Sequence, residues 1–176
     1  MAVKKFLERY AAGEREFTGL CLHQVNLSGI RLSSVNLSGA DLSGADLSGA
    51  DLSRANLSSA NLTDADLSGA DLSGAKLIDV NLIGADLSKA SLVGADLSQA
   101  DLRSADLQET DLQGANLSEV ELSGASLNRV NLVGSYLYGV DLTDVDLTAT
   151  DLSQANLQKD GVQTGKSHHW ISWGSH

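Results

Sequence analysis

The sequence predicts an all-β solenoid with a short helix at its N-terminal end. Three observations predict it. Leucine occupies every fifth position from Leu22 to Leu157 without a gap, 28 in all, with Phe17 as one further member at the front. From Leu27 on, two places before each stands a small or β-branched residue, Ala through most of the middle, and between the two stands Asp or Asn in most units. Aromatic residues are 4% of the chain against 42% hydrophobic residues, so the core must be built from something small and regular.

A period of five selects among backbones. An α-helix turns about 100° per residue, so successive leucines would drift around it by roughly 140°. Ser, Asp and Gly in every unit are also poor helix formers. A flat strand alternates faces at each residue and would send successive leucines up and down. A chain that turns a corner once per pentapeptide keeps them all inside. Ala and Leu, two apart, then face inward from an extended segment, and the Asp or Asn between them faces out. Ser and the residue after it, Gly in 13 of the 29 units, form the corner. Neighbouring coils pair as parallel strands about 4.8 Å apart. The absence of proline fits a chain in which each N–H is needed for that pairing.

These residues resemble the A(D/N)LXX motif of the pentapeptide-repeat family over residues 16–159 of 176, as in members common in cyanobacteria. The resemblance implies a right-handed quadrilateral parallel β-helix with four pentapeptides per coil. On that rule the chain makes about 7 coils, a rod of roughly 35 Å. The inward column then includes Leu22, Leu42, Leu62, Leu82, Leu102, Leu122 and Leu142 as structural core.

The two ends differ. Residues 1–15 read as a helical cap, with Val3, Phe6, Leu7, Tyr10 and Ala11 at helical spacing over residues 3–12 and Gly13 as its C-cap. Leu20, Val25, Ile30 and Val35 stand where later coils have Ala, so the first coil presents bulkier side chains to that cap. Residues 160–176 break the pattern and bring both tryptophans, Trp170 and Trp173. Two readings stay open for this tail, a lid over the last coil or a peptide presented to a partner.

With 20 residues per coil, residues 20 apart stack, and the outward Asp/Asn slot becomes four columns. The most acidic runs through Asp46, Asp66, Asp86, Asp106 and Asp146; two others are acidic and the fourth, from Asn36 to Asn156, is nearly neutral. Short Asp and Asn side chains suit the slot because they hydrogen-bond local backbone beside a tight turn. Lys89, Glu109 and Arg129 stack with alternating sign as an expected surface ion-pair ladder.

Composition narrows the function. A net charge of −11 argues against direct nucleic-acid binding, which needs Lys and Arg. One cysteine, Cys21, allows neither an internal disulfide nor a multi-cysteine zinc site, and the three tail histidines lack a ligand framework. No run of about 18 apolar residues codes a membrane span, and the N-terminus lacks a leader pattern, so a cytoplasmic location is expected. No Ser-His-Asp arrangement, Gly-rich phosphate loop or calcium-type nonapeptide is present; no catalysis, cofactor or metal is expected.

Two classes of binding function remain. The first is a non-enzymatic scaffold for an unidentified protein partner, acting as a monomer or an end-to-end dimer. Its candidate contact residues are Val133, Tyr136 and Tyr138, at one corner and side, with Val93 and Ile78 in their columns. The alternative is a DNA mimic that inhibits DNA gyrase, as some pentapeptide-repeat proteins do. Residues 16–159 carry 20 acidic and 7 basic side chains, about one net charge per 2.7 Å of rod, against about one per 1.7 Å in DNA. The resistance-type members favour Phe at the central position and carry a C-terminal dimerisation helix; here Leu is almost universal and the tail is short and rich in Gly, Ser and His.

Overall fold

A computed structural model describes residues 3–157. The accounting of one pentapeptide explains why the coil forms. In residues 45–49, Asp46 N–H donates to Val25 O of the preceding coil at 2.9 Å. The Leu47 and Gly49 N–H groups donate to Asp66 O and Ser68 O of the next coil at 2.7 and 2.8 Å. Ala45 N–H closes the turn on Leu42 O at 3.0 Å, and Ser48 N–H donates to the Asp46 carboxylate at 3.1 Å. All five backbone donors are therefore satisfied, three between coils, one within the turn and one by the outward Asp. Proline at any of the five would remove a bond.

The register is 20 residues. Glu16 pairs with Asn36, Asn26 with Asp46, Asp46 with Asp66, and so along the rod, always in parallel. Four corners per 20 residues make each coil four-sided. The expected parallel strands are reduced to single-residue bridges, because a corner every five residues leaves only the Asp position to pair on both edges. At the corners the residue after Ser has positive φ whether it is Gly49 (φ 62) or Lys89 (φ 59). Gly is the least strained choice there, yet the stacked coils hold ordinary residues in the same conformation.

Leucines from Leu22 to Leu137 line the interior, with Ala or Val filling beside them, and Leu22, Leu42, Leu62, Leu82, Leu102 and Leu122 are all buried as expected. Leu142 corrects the expected core. It is half-buried, like Leu147 and Leu152, because no further described coil stacks on it. Among the described residues, two fully buried positions are polar. Thr110 donates its hydroxyl to Leu87 O of the coil before at 2.8 Å, and Ser135 donates to Leu132 O at 2.8 Å.

Helix α1 (Val3–Ala11) covers the first coil. Its end carries a Schellman motif: Gly13 N–H donates to Tyr10 O at 3.0 Å and Glu14 N–H to Arg9 O at 3.1 Å, with Gly13 at φ 98. Phe6 is fully buried against Phe17, edge to face with centroids 4.7 Å apart. Tyr10 donates its hydroxyl to Ser33 O at 2.9 Å. Arg9 pairs with Glu14 and lies 5.0 Å from the Phe17 ring centroid. The half-buried Leu20, Val25 and Ile30 pack onto the same cluster as Val3, Leu7 and Tyr10. The two readings of the Trp170 and Trp173 tail lie outside the described residues.

Candidate interaction face

The candidate contact residues sit on the nearly neutral side. Its column runs Asn36, Asn56, Lys76, Asp96, Asn116, Tyr136, Asn156 without a missing bridge. Val133 stands at the corner before Tyr136 and Tyr138 at the corner after it. Their exposures are 39%, 50% and 38%, and Val93, two coils back in Val133's column, is 37% exposed. The structure thus brings the three named residues to one corner-to-corner stretch.

What holds them there is inside. Ser135 and Leu137 flank Tyr136 in sequence and are both buried. The Tyr136 backbone donates to Ala115 O at 2.9 Å and accepts from Leu117 N–H at 2.7 Å. Tyr138 O accepts from Glu119 N–H at 2.8 Å, and Leu137 N–H donates to Asn156 O at 2.9 Å. The Asn156 side-chain amide adds bonds to Ser135 O at 3.1 Å and Gly134 O at 3.3 Å, a role its place in the repeat did not signal. The Tyr136 ring is therefore carried on a stretch paired with the coils on both sides, and Tyr138 follows it on backbone paired to the preceding coil, which lowers the ordering a partner must impose.

The acidic column is locally committed. Asp46, Asp66, Asp86, Asp106 and Asp146 each accept the N–H of the residue two ahead, at 2.8–3.1 Å. At Asp46 and Asp146 a hydroxyl, from Ser48 or Thr148, donates to the same oxygen, and these bonds hold both carboxyls below their ordinary value of 3.8. Asn explains itself by the same geometry. Asn26 donates its side-chain amide to Asp46 at 2.9 Å and Asn131 to Asp111 at 2.9 Å, so an Asn turns like-charge stacking into a hydrogen bond.

Of the expected ion-pair ladder, one rung forms among the described residues, Arg129 to Glu109 at 3.6 Å. A pair that the 20-residue stacking did not anticipate lies within one corner: Arg103 forks onto Asp101 at 2.9 and 2.7 Å and lowers its carboxyl. A groove of about 110 Å³ opens between the last two coils, lined by Val120, Glu121, Leu122, Ser123, Gly139, Asp141, Thr143 and Asp144. Among the described residues no group of three or more His, Cys, Asp or Glu is placed to hold a metal ion. Cys21 is exposed, and no described helix is long and apolar enough to cross a membrane.

Comparison with known proteins supplies the family. The profile described as pentapeptide repeats matches in 8 copies, over residues 16–54, 30–69, 65–103, 81–118 and 121–158. Comparison with curated protein sequences finds no match. Among solved structures, the pentapeptide-repeat protein Rfr23 of the cyanobacterium Cyanothece 51142 is 29% identical, covering 82% of this chain and 99% of its own, with a TM-score of 0.49. QnrB1, a plasmid-mediated fluoroquinolone resistance protein, is 21% identical over 80% of this chain and 88% of its own, with a TM-score of 0.51, and shares the fold. A pentapeptide-repeat protein of the Arabidopsis thaliana thylakoid lumen is 41% identical over 61% of this chain and 68% of its own, with a TM-score of 0.35. The leucine frame, the 20-residue register and the profile match agree: the chain belongs to the pentapeptide-repeat family, whose members fold as right-handed quadrilateral β-helices.

Proposed function

We infer that this protein is a non-enzymatic scaffold that binds another protein through the side centred on Tyr136. One observation carries the reading. On a mostly polar surface, two tyrosines and a valine are exposed together, with the stretch through Tyr136 paired to the coils on both sides. Tyr is enriched at protein interfaces, where it combines apolar area with a hydrogen-bonding tip. The interior supports a binding role over catalysis, since stacked Leu and Ala fill it. Affinity capture from native lysate tests the reading. A protein captured by the wild type and lost from Tyr136→Ala/Tyr138→Ala supports it; capture indifferent to both tyrosines rejects it. Cytoplasmic residence belongs to the same proposal and is checked by cell fractionation.

A second reading, a DNA mimic acting on gyrase, draws on the acidic column and on the fold shared with QnrB1. The charge is broken by Ser126 and the Asn positions, and the column's carboxylates are engaged by their own corners. A supercoiling assay decides: no inhibition of gyrase at micromolar protein ends this reading.

A further inference from the structure

The scaffold reading leaves the partner's chemistry open, and the following inference rests on that reading. We propose that the Tyr136 side takes an amphipathic α-helix with basic flanks, laid along the rod axis. Width argues first. A side is about three extended residues, or roughly 10 Å, close to the 10–12 Å diameter of an α-helix. Spacing argues second. Val93 and Val133 share a corner column two coils apart, about 10 Å along the rod, and positions seven apart on a helix are about 10.5 Å apart.

Charge fixes the sign of the flanks. From the coil of Asp96 to that of Asn156, the described residues of this side and its two corners carry two charges, Asp96 and Glu119, and no Lys or Arg. The bordering sides present Glu121 in one direction, beside an Asp101 already paired with Arg103, and Asp111 and Asp151 in the other. A strip of Val and Tyr between acidic margins matches an apolar stripe between Lys or Arg residues. The same margins repel a nucleic acid or an anionic lipid surface.

The test uses the full chain and a labelled synthetic peptide of about 18 residues, with Leu at i, i+3, i+4 and i+7 spacing and Lys elsewhere. Two controls are a scrambled peptide of the same composition and a version with Glu for Lys. Anisotropy near physiological salt is expected to show binding of the Lys helix, weakened about tenfold or more by Tyr136→Ala/Tyr138→Ala and by both control peptides. Val133→Ser, at an exposed corner, gives a second readout if the double variant melts early, with a loss of roughly threefold expected. Equal affinity for the double variant, or for the scrambled peptide, overturns the proposal. So does a protein dimer dissolved by the double change in sedimentation, which makes a second copy the occupant. A shift of the Trp170 or Trp173 indole NMR signals by the double change in the free protein makes the tail the occupant, and also overturns it. Lysate capture that depends on the tyrosines while the Lys helix fails to bind removes this proposal and leaves the scaffold reading standing.

Discussion

The coils around Leu87 and the coil from Asp141 to Asn156 are written in the same repeat and are held differently. Around Leu87 the leucines are fully buried, every column is bridged, and each corner residue has positive φ. In the last coil Leu142, Leu147 and Leu152 are half-buried and Leu157 is 39% exposed. Two opposite sides lose their bridges: Glu121 no longer pairs with Asp141, nor Asn131 with Asp151, while Asp146 and Asn156 still pair. Asp144 and Gln154 are also the described corners from Gly19 onward without positive φ. Gly124 and Gly134 donate to those two residues, one place further along the chain than the rule elsewhere. The lesson is that a pentapeptide does not specify its own conformation. Its neighbours on both faces do, because each coil's core and three of the five backbone bonds of a pentapeptide such as residues 45–49 are shared with the adjoining coils.

The comparison breaks most sharply at a buried leucine. Leu87→Asp places a carboxylate among Leu and Ala with no partner and is expected to unfold or split the rod, whereas Leu147→Asp, half in water, is expected to lower the melting temperature by a few degrees. An unchanged melting temperature for Leu87→Asp would falsify the assigned frame. The gentler pair makes the same point: Leu87→Ala is expected to cost about 2–5 kcal/mol in urea unfolding and Leu147→Ala clearly less.

Acid comes next. Asp41, Asp46, Asp101, Asp141, Asp146 and Asp151 all lie below their ordinary value of 3.8, chiefly through hydrogen bonds from the residue two ahead. A depressed folded value means stability that is full above the unfolded value and lost as pH falls through the folded one. Melting temperature should therefore be flat from neutral pH to about 5 and fall below about pH 4. A protein that melts higher at pH 3 than at pH 7 would show that repulsion along the columns outweighs those bonds.

A smaller effect separates the carboxylate's charge from its hydrogen bond. Ser88 N–H donates to Asp86 at 2.8 Å, so Asp86→Ala is expected to cost on the order of 1 kcal/mol and Asp86→Asn almost nothing. Equal losses would mean that charge, not the corner bond, is what the slot selects. The smallest effect is local. Leu102 N–H donates to Glu121 O at 2.8 Å, but Leu122 N–H has no backbone acceptor among the described residues. Hydrogen exchange should therefore be faster at Leu122 than at Leu102, though their side chains are equally buried. Matching protection at the two amides would close the gap between middle and last coil.

The fold was legible because one translation repeats it. Leu every fifth residue, a small residue two before it and Asp or Asn between them restrict the chain to a cornered solenoid, and the N-terminal helix was readable from Phe6, Leu7 and Tyr10 at helical spacing. The candidate face was legible for the opposite reason: Tyr136 and Tyr138 depart from the repeat. What the sequence hid were events without a period. The Arg103 fork onto Asp101 uses a side chain unlike its column neighbours, and the Asn156 amide on Ser135 O is a bond that the other Asn residues of its column do not make.

By itself, then, the sequence determined the inward and outward positions, because 28 in-frame leucines leave one consistent arrangement that turns them all to one interior. It also determined the outward Asp, whose reach matches a donor two residues ahead. Only the tertiary structure decided the rest: that Lys89 and Arg129 turn corners as Gly49 does, that Leu142 is half-wet, and that two bridges fail beside Asp144 and Gln154. The reason is physical. A corner's φ and a leucine's burial are set by the coil above and the coil below, and the last described coil has one only on one side.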